Sequence, residues 1–269
     1  MDANIINQKI KDAIINNEAV SFGKLGNVEA FHLYTTLKGQ LSLNQQLFVN
    51  AGVYVGSKED YLDWCQDLLL SVKSLDYILE WCPNKEDKLI IDHYCKDINK
   101  FHTFEGLEPF VLGDEGWHNF LSDKTVLCVS PFSETVKSQS QKFNKIWNGA
   151  TIGNVVTVTC PYSEALTGQQ PKSWQDKLSY MLEEIDKLDF DFATVGCGGL
   201  SLSVCKHIKQ MGKPCVHLGG GNQLLYGIRG RRWDDGFAKY DWYGTDDWVR
   251  PSSEETPMGI NLVEGGCYW

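Results

Sequence analysis

Two glycine clusters, each directly after a short apolar run, constrain this sequence more than any other feature. The first cluster, residues 196–199, follows the run 192–195, and the second, residues 219–221, follows the run 214–218. Between them, residues 202–208 carry apolar side chains at helical spacing. The stretch therefore predicts a strand, a glycine turn, a helix, and a second strand that again ends in a glycine turn.

The same alternation of strand-like and helical segments extends through most of the chain. Strand-like runs lie at 19–22, 88–92, 109–112, 125–129, 155–160, 192–195 and 214–218. Helical patterns lie at 3–17, 27–37, 58–81, 133–147, 173–187, 202–208 and 222–227. This alternation predicts an α/β fold with a mostly parallel sheet and helices on both faces. The length of 269 residues favours a single domain over 1–269, with an irregular, aromatic-rich tail over 232–269.

Composition narrows the classes of function. A formal net charge of −10 disfavours nucleic-acid binding, which normally needs a basic surface. No apolar run is long enough to predict a membrane span, and the N-terminal segment lacks the apolar centre of a signal peptide. The nine cysteines contain no Cys-x-x-Cys pair, so we expect reduced thiols in a cytoplasmic protein without a structural zinc site.

The predicted turns indicate where a ligand binds. Ligands of parallel α/β sheets bind outside the carboxyl ends of the strands, and both glycine clusters follow strands there. The turn 23–29 and the Ser130-Pro131 pair also follow predicted strands, so we expect four turns to converge on one cleft. Because glycine lets a ligand approach the backbone, a phosphate or diphosphate is the expected ligand. Tight helix–strand packing without a ligand is the alternative for each cluster.

Other nucleotide enzymes fit less well. Residues 196–201 come within one residue of the dinucleotide fingerprint G-x-G-x-x-G. A dinucleotide enzyme, however, needs Asp or Glu at the end of the next strand to hold the ribose, and the run 214–218 ends without one. The same absence weakens the interpretation as a SAM-dependent enzyme. No P-loop motif occurs, so a P-loop kinase is not expected.

Four motifs carry a resemblance to known proteins. GCGGLSL at 196–202, KPCVHLGG at 213–220, LYGIRGRRWD at 225–234 and VEGGCYW at 263–269 resemble uncharacterised proteins of bacterial polysaccharide gene clusters. More distantly, over 19–38 and 190–228, the chain is similar to GT-D glycosyltransferases. The resemblance implies a Rossmann-like, GT-D-like fold and a glycosyltransferase that moves a sugar from a nucleotide-sugar donor to a glycan or glycoprotein acceptor. The alternatives are a noncatalytic nucleotide-sugar or glycan-binding protein of the same fold and, with less support, a SAM- or NAD-dependent sugar-modifying enzyme.

The resemblance also raises the question of a metal. The family's Asp-x-Glu motif can hold Mg²⁺ or Mn²⁺ against a diphosphate, but here the aspartate position is Asn27 and only Glu29 matches. We therefore expect the metal to be weakly bound or dispensable, with Glu29 as its remaining ligand. Ordinary compensation of a helix dipole would also explain Glu29.

The basic segment Arg229, Arg231 and Arg232 is the alternative partner of a diphosphate. Arginine forks match phosphate oxygens, so one or two of the three are expected to contact phosphate, with the remainder paired to Asp234 or Asp235. If the segment is an extended turn, Arg229 and Arg231 share one side and Arg232 the other. A solvated basic turn is the other interpretation.

These arguments give the candidate site. Acids at predicted strand ends or turns that could take a proton from an acceptor are Glu29, Asp92 and Glu134. Capping is the alternative for Asp92, and compensation of a helix dipole is the alternative for Glu29 and explains Glu134 equally well. A histidine at the end of a buried strand, as His217 is, more often makes a structural hydrogen bond than contacts a ligand. We expect Gly198→Val to abolish donor binding while the fold stays largely intact. The candidate donor-binding residues are Gly23, Gly26, Asn27, Ser130, Pro131, Gly196, Gly198, Gly199, Ser201, His217, Gly219, Gly220, Gly221, Arg229, Arg231 and Arg232.

Overall fold

Seven strands form one sheet in the computed structural model, which describes residues 1–269. The strands are β1 (Ser21–Lys24), β2 (Tyr77–Leu79), β3 (Asn99–Phe101), β4 (Leu121–Ser130), β5 (Ile152–Thr159), β6 (Phe192–Val195) and β7 (Cys215–His217). Their order across the sheet is β3-β2-β1-β7-β6-β4-β5, and every neighbouring pair is parallel. The predicted Rossmann-like α/β fold with a parallel sheet is confirmed.

The connections between strands are mostly helical. The α-helices are α1 (Ala3–Asn16), α2 (Asn27–Leu37), α3 (Gln45–Val49), α4 (Lys58–Lys73), α5 (Glu86–Tyr94), α6 (Phe104–Leu107), α7 (Ser133–Ser140), α8 (Phe143–Ile146), α9 (Glu164–Thr167), α10 (Trp174–Ile185), α11 (Ser201–Gln210), α12 (Gly221–Leu225) and α13 (Arg231–Phe237). Short 3₁₀-helices lie at Pro109–Glu115, Trp117–Phe120, Gly198–Leu200, Ser253–Glu255 and Ile260–Leu262. No helix is long and apolar enough to cross a membrane.

The sheet is buried on both faces. Successive side chains of β4 enter two different hydrophobic clusters, because strand residues alternate between the faces of a sheet. Leu127 and Val129 belong to the cluster formed with α2, α4, α5, α10 and α11. Val126 and Cys128 belong to the cluster formed with α1, α8, α12 and the tail. The apolar runs of the sequence are therefore continuous because neither face of these strands meets water.

Some predicted elements are wrong. The run 88–92 lies in helix α5, where Asp87, Ile90 and Ile91 bury one helical face, and the run 109–112 forms a 3₁₀-helix. The helical pattern 58–81 ends at Lys73, and its last residues form β2 instead. The runs 88–92 and 109–112 were too short for their apolar residues alone to distinguish a strand from a helix.

Two further local predictions need correction. An asparagine at the start of the helical pattern 27–37 predicts an N-cap at Asn27, but Gly26 is the N-cap residue of α2 and Asn27 is its first helical residue. The tail was expected to be irregular from residue 232, but α13 begins at Arg231 and two 3₁₀-helices follow. Strand β3 was not predicted at all, because its three residues, Asn99–Phe101, carry no apolar alternation.

Candidate functional site

A cleft of about 600 Å³ lies at the carboxyl ends of the central strands. Strands β1, β7, β6 and β4 are consecutive in the sheet, so the turns that follow them are neighbours in space. All four turns line the cleft, and the predicted convergence is therefore present in the structure. The candidate residues that line it are Gly26, Asn27, Glu29, Ser130, Pro131, Gly196, Gly198, His217, Gly219, Gly220, Gly221 and Arg232.

Seven candidate residues do not line the cleft, namely Gly23, Asp92, Glu134, Gly199, Ser201, Arg229 and Arg231. Gly23 lies inside β1, where a Cβ would contact Leu202 and Leu75 at 3.1–3.3 Å, so this glycine serves helix–sheet packing. Ser201 is buried, and its hydroxyl donates a hydrogen bond to the Gly198 carbonyl oxygen at 2.8 Å. Gly23 and Ser201 therefore contribute to the packing and hydrogen bonding of the protein around the turns and not to the cleft surface.

The two carboxylates proposed as alternative bases also lie elsewhere. Asp92 is in α5, and its hydrogen bonds with Lys100 and Lys88 lower the pKa of its carboxyl to about 2. Glu134 is an exposed residue of α7 that forms an ion pair with Lys137 at 2.7 Å. The structure thus leaves Glu29 as the one predicted base among the residues that line the cleft.

The first glycine turn has most of its N–H groups engaged within the protein. The N–H groups of Gly196, Cys197 and Gly199 donate hydrogen bonds of 2.8–3.0 Å to the Val129 carbonyl, the Ser201 hydroxyl and the Ala51 carbonyl respectively. An N–H group that already donates to the protein is not free to bind phosphate. Three of the four N–H groups of this turn are therefore unavailable to a phosphate, and only that of Gly198 has no acceptor in the protein.

Close packing accounts for glycine at this turn. Gly198 has a φ of +59°, and a Cβ there would lie 2.5 Å from the Ala51 carbonyl oxygen. At Gly199 a Cβ would lie 2.7 Å from a methyl group of Val53. The packing alternative applies to these two glycines, because backbone and core atoms occupy the space of any side chain.

The second glycine turn differs in its hydrogen bonding. The N–H of Gly219 has Val195 as an acceptor at 3.3 Å, but the N–H groups of Gly220 and Gly221 have no acceptor in the protein. A Cβ at Gly220 would contact the Tyr268 ring at 2.6 Å, and one at Gly221 would contact the Glu108 carboxylate at 2.8 Å. This turn therefore faces movable side chains of the cleft instead of the protein backbone.

A buried ion pair lies beside the second turn. Lys24, the last residue of β1, places its Nζ 3.0 Å from Oε1 of Glu108, and the two side chains are only 11% and 14% exposed. The ammonium also lies 4.6 Å from the centre of the Phe104 ring and 6.0 Å from that of Trp81. Sequence reasoning missed this pair because its members come from segments 84 residues apart. The lysine inside the turn 23–29 was the available signal.

His217, at the end of β7, is a neutral residue of the cleft wall. Burial and the nearby positive charge of Lys24 lower the pKa of its imidazole to about 3. Its Nδ1 lies 3.2 Å from the carbonyl oxygen of Val195, which fits the structural hydrogen bond expected from the sequence. With so low a pKa, the ring is uncharged at neutral pH and supplies no cation to a phosphate.

Arg232 is the one arginine of the basic segment that lines the cleft. Its guanidinium lies 4.7 Å from the centre of the Tyr268 ring, donates to the Tyr268 hydroxyl at 3.0 Å, and forms an ion pair with Glu264. Arg229 forms an ion pair with Asp234 at 3.2 Å, as expected for an arginine that does not face the ligand. Arg231 donates to a backbone carbonyl at the protein surface. Arg229 and Arg231 thus both lie outside the cleft while Arg232 lines it, although Arg231 and Arg232 begin a helix and not an extended turn.

Glu29 folds back over the start of its own helix. It occupies the third position of α2, and a Cβ at Gly26 would overlap its carboxylate. Burial raises the pKa of this carboxyl. The position fits dipole compensation at a helix N-terminus, and the raised pKa also suits a group that takes a proton near neutral pH.

The residues present do not fit a divalent cation. No group of three or more His, Cys, Asp or Glu side chains is arranged to hold a metal, and the Glu29 carboxylate is turned towards Gly26. Asn27, which stands at the other position of the motif, is exposed and adds no charge. We therefore derive no step through a metal.

Aromatic rings form much of the remaining wall. The aromatic residues of the tail form two groups, of which one lines the cleft. The other group, Trp242, Tyr243 and Trp248, packs on itself and on Trp147 away from the cleft. The aromatic residues that line the cleft are Trp81, Phe104, Phe132, Tyr162, Trp233, Tyr268 and Trp269. Three of these seven, Trp233, Tyr268 and Trp269, come from the tail.

Comparisons with known proteins add no relative. No protein-family model, no curated protein and no solved structure matches this chain.

Proposed function

We propose that this protein is a glycosyltransferase that binds a nucleotide sugar in the cleft and transfers its sugar to a glycan or glycoprotein acceptor. The observation that carries the proposal is the grouping of Lys24 and Arg232 around the second glycine turn, whose Gly220 and Gly221 N–H groups have no acceptor. These are the donors and cations that a diphosphate needs. The distant similarity of residues 19–38 and 190–228 to GT-D glycosyltransferases supports the same assignment.

The shape of the cleft supports a ligand of this size and character. Its volume of about 600 Å³ lies within the range of small-molecule sites. Trp81, Phe104 and Tyr268 offer flat apolar faces on which a nucleobase or a sugar ring can stack. The cleft thus combines a polar turn with an aromatic wall, as an amphipathic ligand of this class requires.

The transfer step follows from these groups. The acceptor hydroxyl oxygen attacks the anomeric carbon of the donor, and the bond from that carbon to the diphosphate oxygen breaks. Arg232 and Lys24 stabilise the charge that develops on the departing diphosphate, as positioned cations do at other leaving groups. Glu29 takes the acceptor proton, for which its raised pKa is suited.

A noncatalytic nucleotide-sugar or glycan-binding protein is the second candidate. One observation favours it, namely that the Glu29 carboxylate lies against Gly26 at the start of α2 and not free in the cleft. The two candidates share the ligand and differ only in turnover.

A ligand panel followed by a transfer assay tests the proposal. Stabilisation against heat is measured with UDP-, GDP- and TDP-sugars, SAM and NAD, since a ligand at a hundred times its Kd stabilises by about 2.7 kcal/mol. We expect one nucleotide-sugar class to stabilise the protein and to release nucleoside diphosphate in the presence of acceptor glycans. We expect Glu29→Gln to keep the thermal shift and to lose the release. Stabilisation by SAM or NAD alone would contradict the proposal, and binding without release in the parent protein would favour the binding protein.

A further inference from the structure

The ion pairs of the cleft leave no cation free for an anionic ligand. Lys24 is paired with Glu108, and Arg232 is paired with Glu264. Each cation therefore already has a carboxylate partner in the free protein. A ligand that brings negative charge has to share these partners or replace them.

Glu108 lies in the part of the cleft that faces the second glycine turn. It follows the short helix α6, and its Oε1 is 2.8 Å from the position of a Cβ on Gly221. Lys24 lies against the same turn, with its Cε 3.5 Å from a Cβ position on Gly219. A carboxylate, a lysine and the glycine turn thus meet at one point of the wall.

We infer that the Glu108 carboxylate occupies, in the free protein, the place of a phosphate group of the ligand, and that the ligand displaces it from Lys24. This inference rests on the proposed function for the identity of the ligand, but its anion chemistry stands on the ion pair alone. Glu108 acts as an internal competitor that keeps Lys24 paired while the cleft is empty.

Burial explains why such a competitor is useful. A lysine ammonium that is mostly buried without a partner is costly, because it has lost its hydration. Lys24 is 11% exposed, and Glu108 is its only ion-pair partner. A chain with a net charge of −10 also repels anions, so an anion binds here only where a positive charge is made available locally. Displacement of Glu108 supplies that charge when the ligand arrives.

The displaced carboxylate has room to leave. Glu108 lines the open cleft, and the ion pair at 3.0 Å is the one hydrogen bond that its carboxylate makes with the protein. Buried carboxylates with a purely structural role usually accept several hydrogen bonds. The neighbouring Asp87 does so, since it accepts from the backbone N–H groups of Trp81 and Cys82.

Calorimetric titration with inorganic pyrophosphate tests the inference on the full-length chain. Glu108→Gln removes the competing charge and keeps the shape, so we expect it to bind pyrophosphate about tenfold more tightly than the parent, on the scale of one charged hydrogen bond. Asp189→Asn makes the same change of net charge at an exposed residue before β6 and is expected to leave the affinity within twofold. Adding Lys24→Met to Glu108→Gln is expected to abolish the gain.

Two results would overturn the inference. One is pyrophosphate binding by Glu108→Gln that is equal to or weaker than that of the parent, and the other is an equal gain from Asp189→Asn. If Glu108→Gln does not fold, Glu108→Asp shortens the side chain but keeps its charge, and a smaller gain in affinity is expected from it. An unchanged affinity of a folded Glu108→Asp then counts against the competitor.

The same titrations separate this inference from the proposed function. If no nucleotide sugar is turned over but Glu108→Gln still gains affinity for pyrophosphate, the inference about Glu108 holds and the transferase assignment is wrong. If the parent transfers sugar but Glu108→Gln gains no affinity for pyrophosphate, the transferase assignment holds and the inference about Glu108 is wrong.

Discussion

The two glycine turns look alike in the sequence and differ in the structure. Each follows a short buried strand of the same sheet, and both reach the same cleft. At the first turn the N–H groups of Gly196 and Gly199 donate to backbone carbonyls, and the space around Gly198 is filled by backbone. At the second turn the N–H groups of Gly220 and Gly221 have no acceptor.

The difference shows that a glycine pattern alone does not identify a phosphate site. Glycine is required wherever two backbones approach closely, and also wherever a ligand approaches a backbone. The surroundings of each turn decide between these roles. A protein carbonyl fills the space at the first turn and indicates packing there, whereas the side chains of Lys24 and Glu108 at the second turn support the ligand contact that we propose.

The largest expected effect concerns the fold at the first turn. We expect Gly198→Ala to lower the free energy of unfolding by about 3 kcal/mol, since it combines a strained positive φ with a clash against the Ala51 carbonyl. This expectation replaces the one drawn from the sequence, in which a larger residue at 198 would leave the fold intact. Urea unfolding measures the change.

Gly212→Ala is the matched control for that experiment. Gly212 also has a positive φ, of +81°, but nothing lies within 4 Å of its Cβ position. It is expected to lose about 1 kcal/mol from φ strain alone. Equal losses at 198 and 212 would show that contact with Ala51 contributes nothing.

The next effect concerns the cation beside the second turn. We expect Arg232→Ala to weaken the binding of a nucleoside diphosphate by about 2 kcal/mol, because a charged hydrogen-bond donor is lost from the cleft. Arg231→Ala removes the same charge from the adjacent surface residue and should bind within twofold of the parent. Calorimetry on the three proteins measures both. Equal weakening by the two variants would indicate a general effect of charge and not a contact.

The strand before the second turn should respond to acid, because β7 ends in a titratable histidine whereas β6 ends in Val195. The pKa of His217 is lowered to about 3 by burial and by Lys24, against 6.5 for the unfolded chain. Below pH 6.5 the unfolded chain takes up a proton that the folded His217 does not, so stability falls as the pH falls. The loss from this residue is about 1.4 kcal/mol at about pH 5.5.

His217→Gln is expected to remove that part of the pH dependence, measured by urea unfolding between about pH 7 and pH 5. His118, a buried residue of the core with a pKa of about 3, supplies a similar slope that remains in the variant. An unchanged slope would mean that His217 takes up its proton in the folded protein.

A smaller effect is expected from a methyl group at the second turn. Gly220 has a φ of −60°, which suits alanine, and the new Cβ would meet only the rings of Tyr268 and Trp233. We expect Gly220→Ala to weaken ligand binding by about 1 kcal/mol through displacement of these rings. Its stability should fall by much less than that of Gly198→Ala. A loss of stability equal to that of Gly198→Ala would remove the distinction between the turns.

The smallest effect is expected from metal removal. Because Glu29 covers the start of α2 and no acidic cluster accompanies it, EDTA should change sugar transfer by less than about twofold. Added Mn²⁺ should have a similarly small effect. Complete loss with EDTA and full rescue by Mn²⁺ would show that Glu29 turns into the cleft and binds a cation.

The sheet was predictable where buried strands are followed by glycine or proline. Strands β4, β6 and β7 have continuous apolar runs because both of their faces are covered, and the next residues cannot extend them. Strand β2 and the edge strand β3 have three residues each and were missed. For the run 88–92, the apolar pair Ile90 and Ile91 fits a buried strand as well as the buried side of helix α5.

The cleft was predictable only as a location. Parallel strands place their carboxyl ends at one edge, so the convergence of the four turns followed from the fold class. The pairing of Lys24 with Glu108 and the cover of Tyr268 over Gly220 depend on long-range packing, which one sequence does not reveal. The chemistry of the second turn therefore needed the structure.

The order of strands in the sheet has a consequence for how the chain reaches its native state. Strands β1 to β3 form one side of the sheet and β4 and β5 the other, while the last strands in the sequence, β6 and β7, lie between them. The central pairing joins Ser21 to Cys215, so the two sides stay separate until nearly the whole chain has been synthesised. Contacts so distant in sequence slow folding, and the unpaired edges of β1 and β4 are exposed to aggregation in the meantime. We therefore expect the two strands that carry the glycine turns to close the sheet and create the cleft in the same late step.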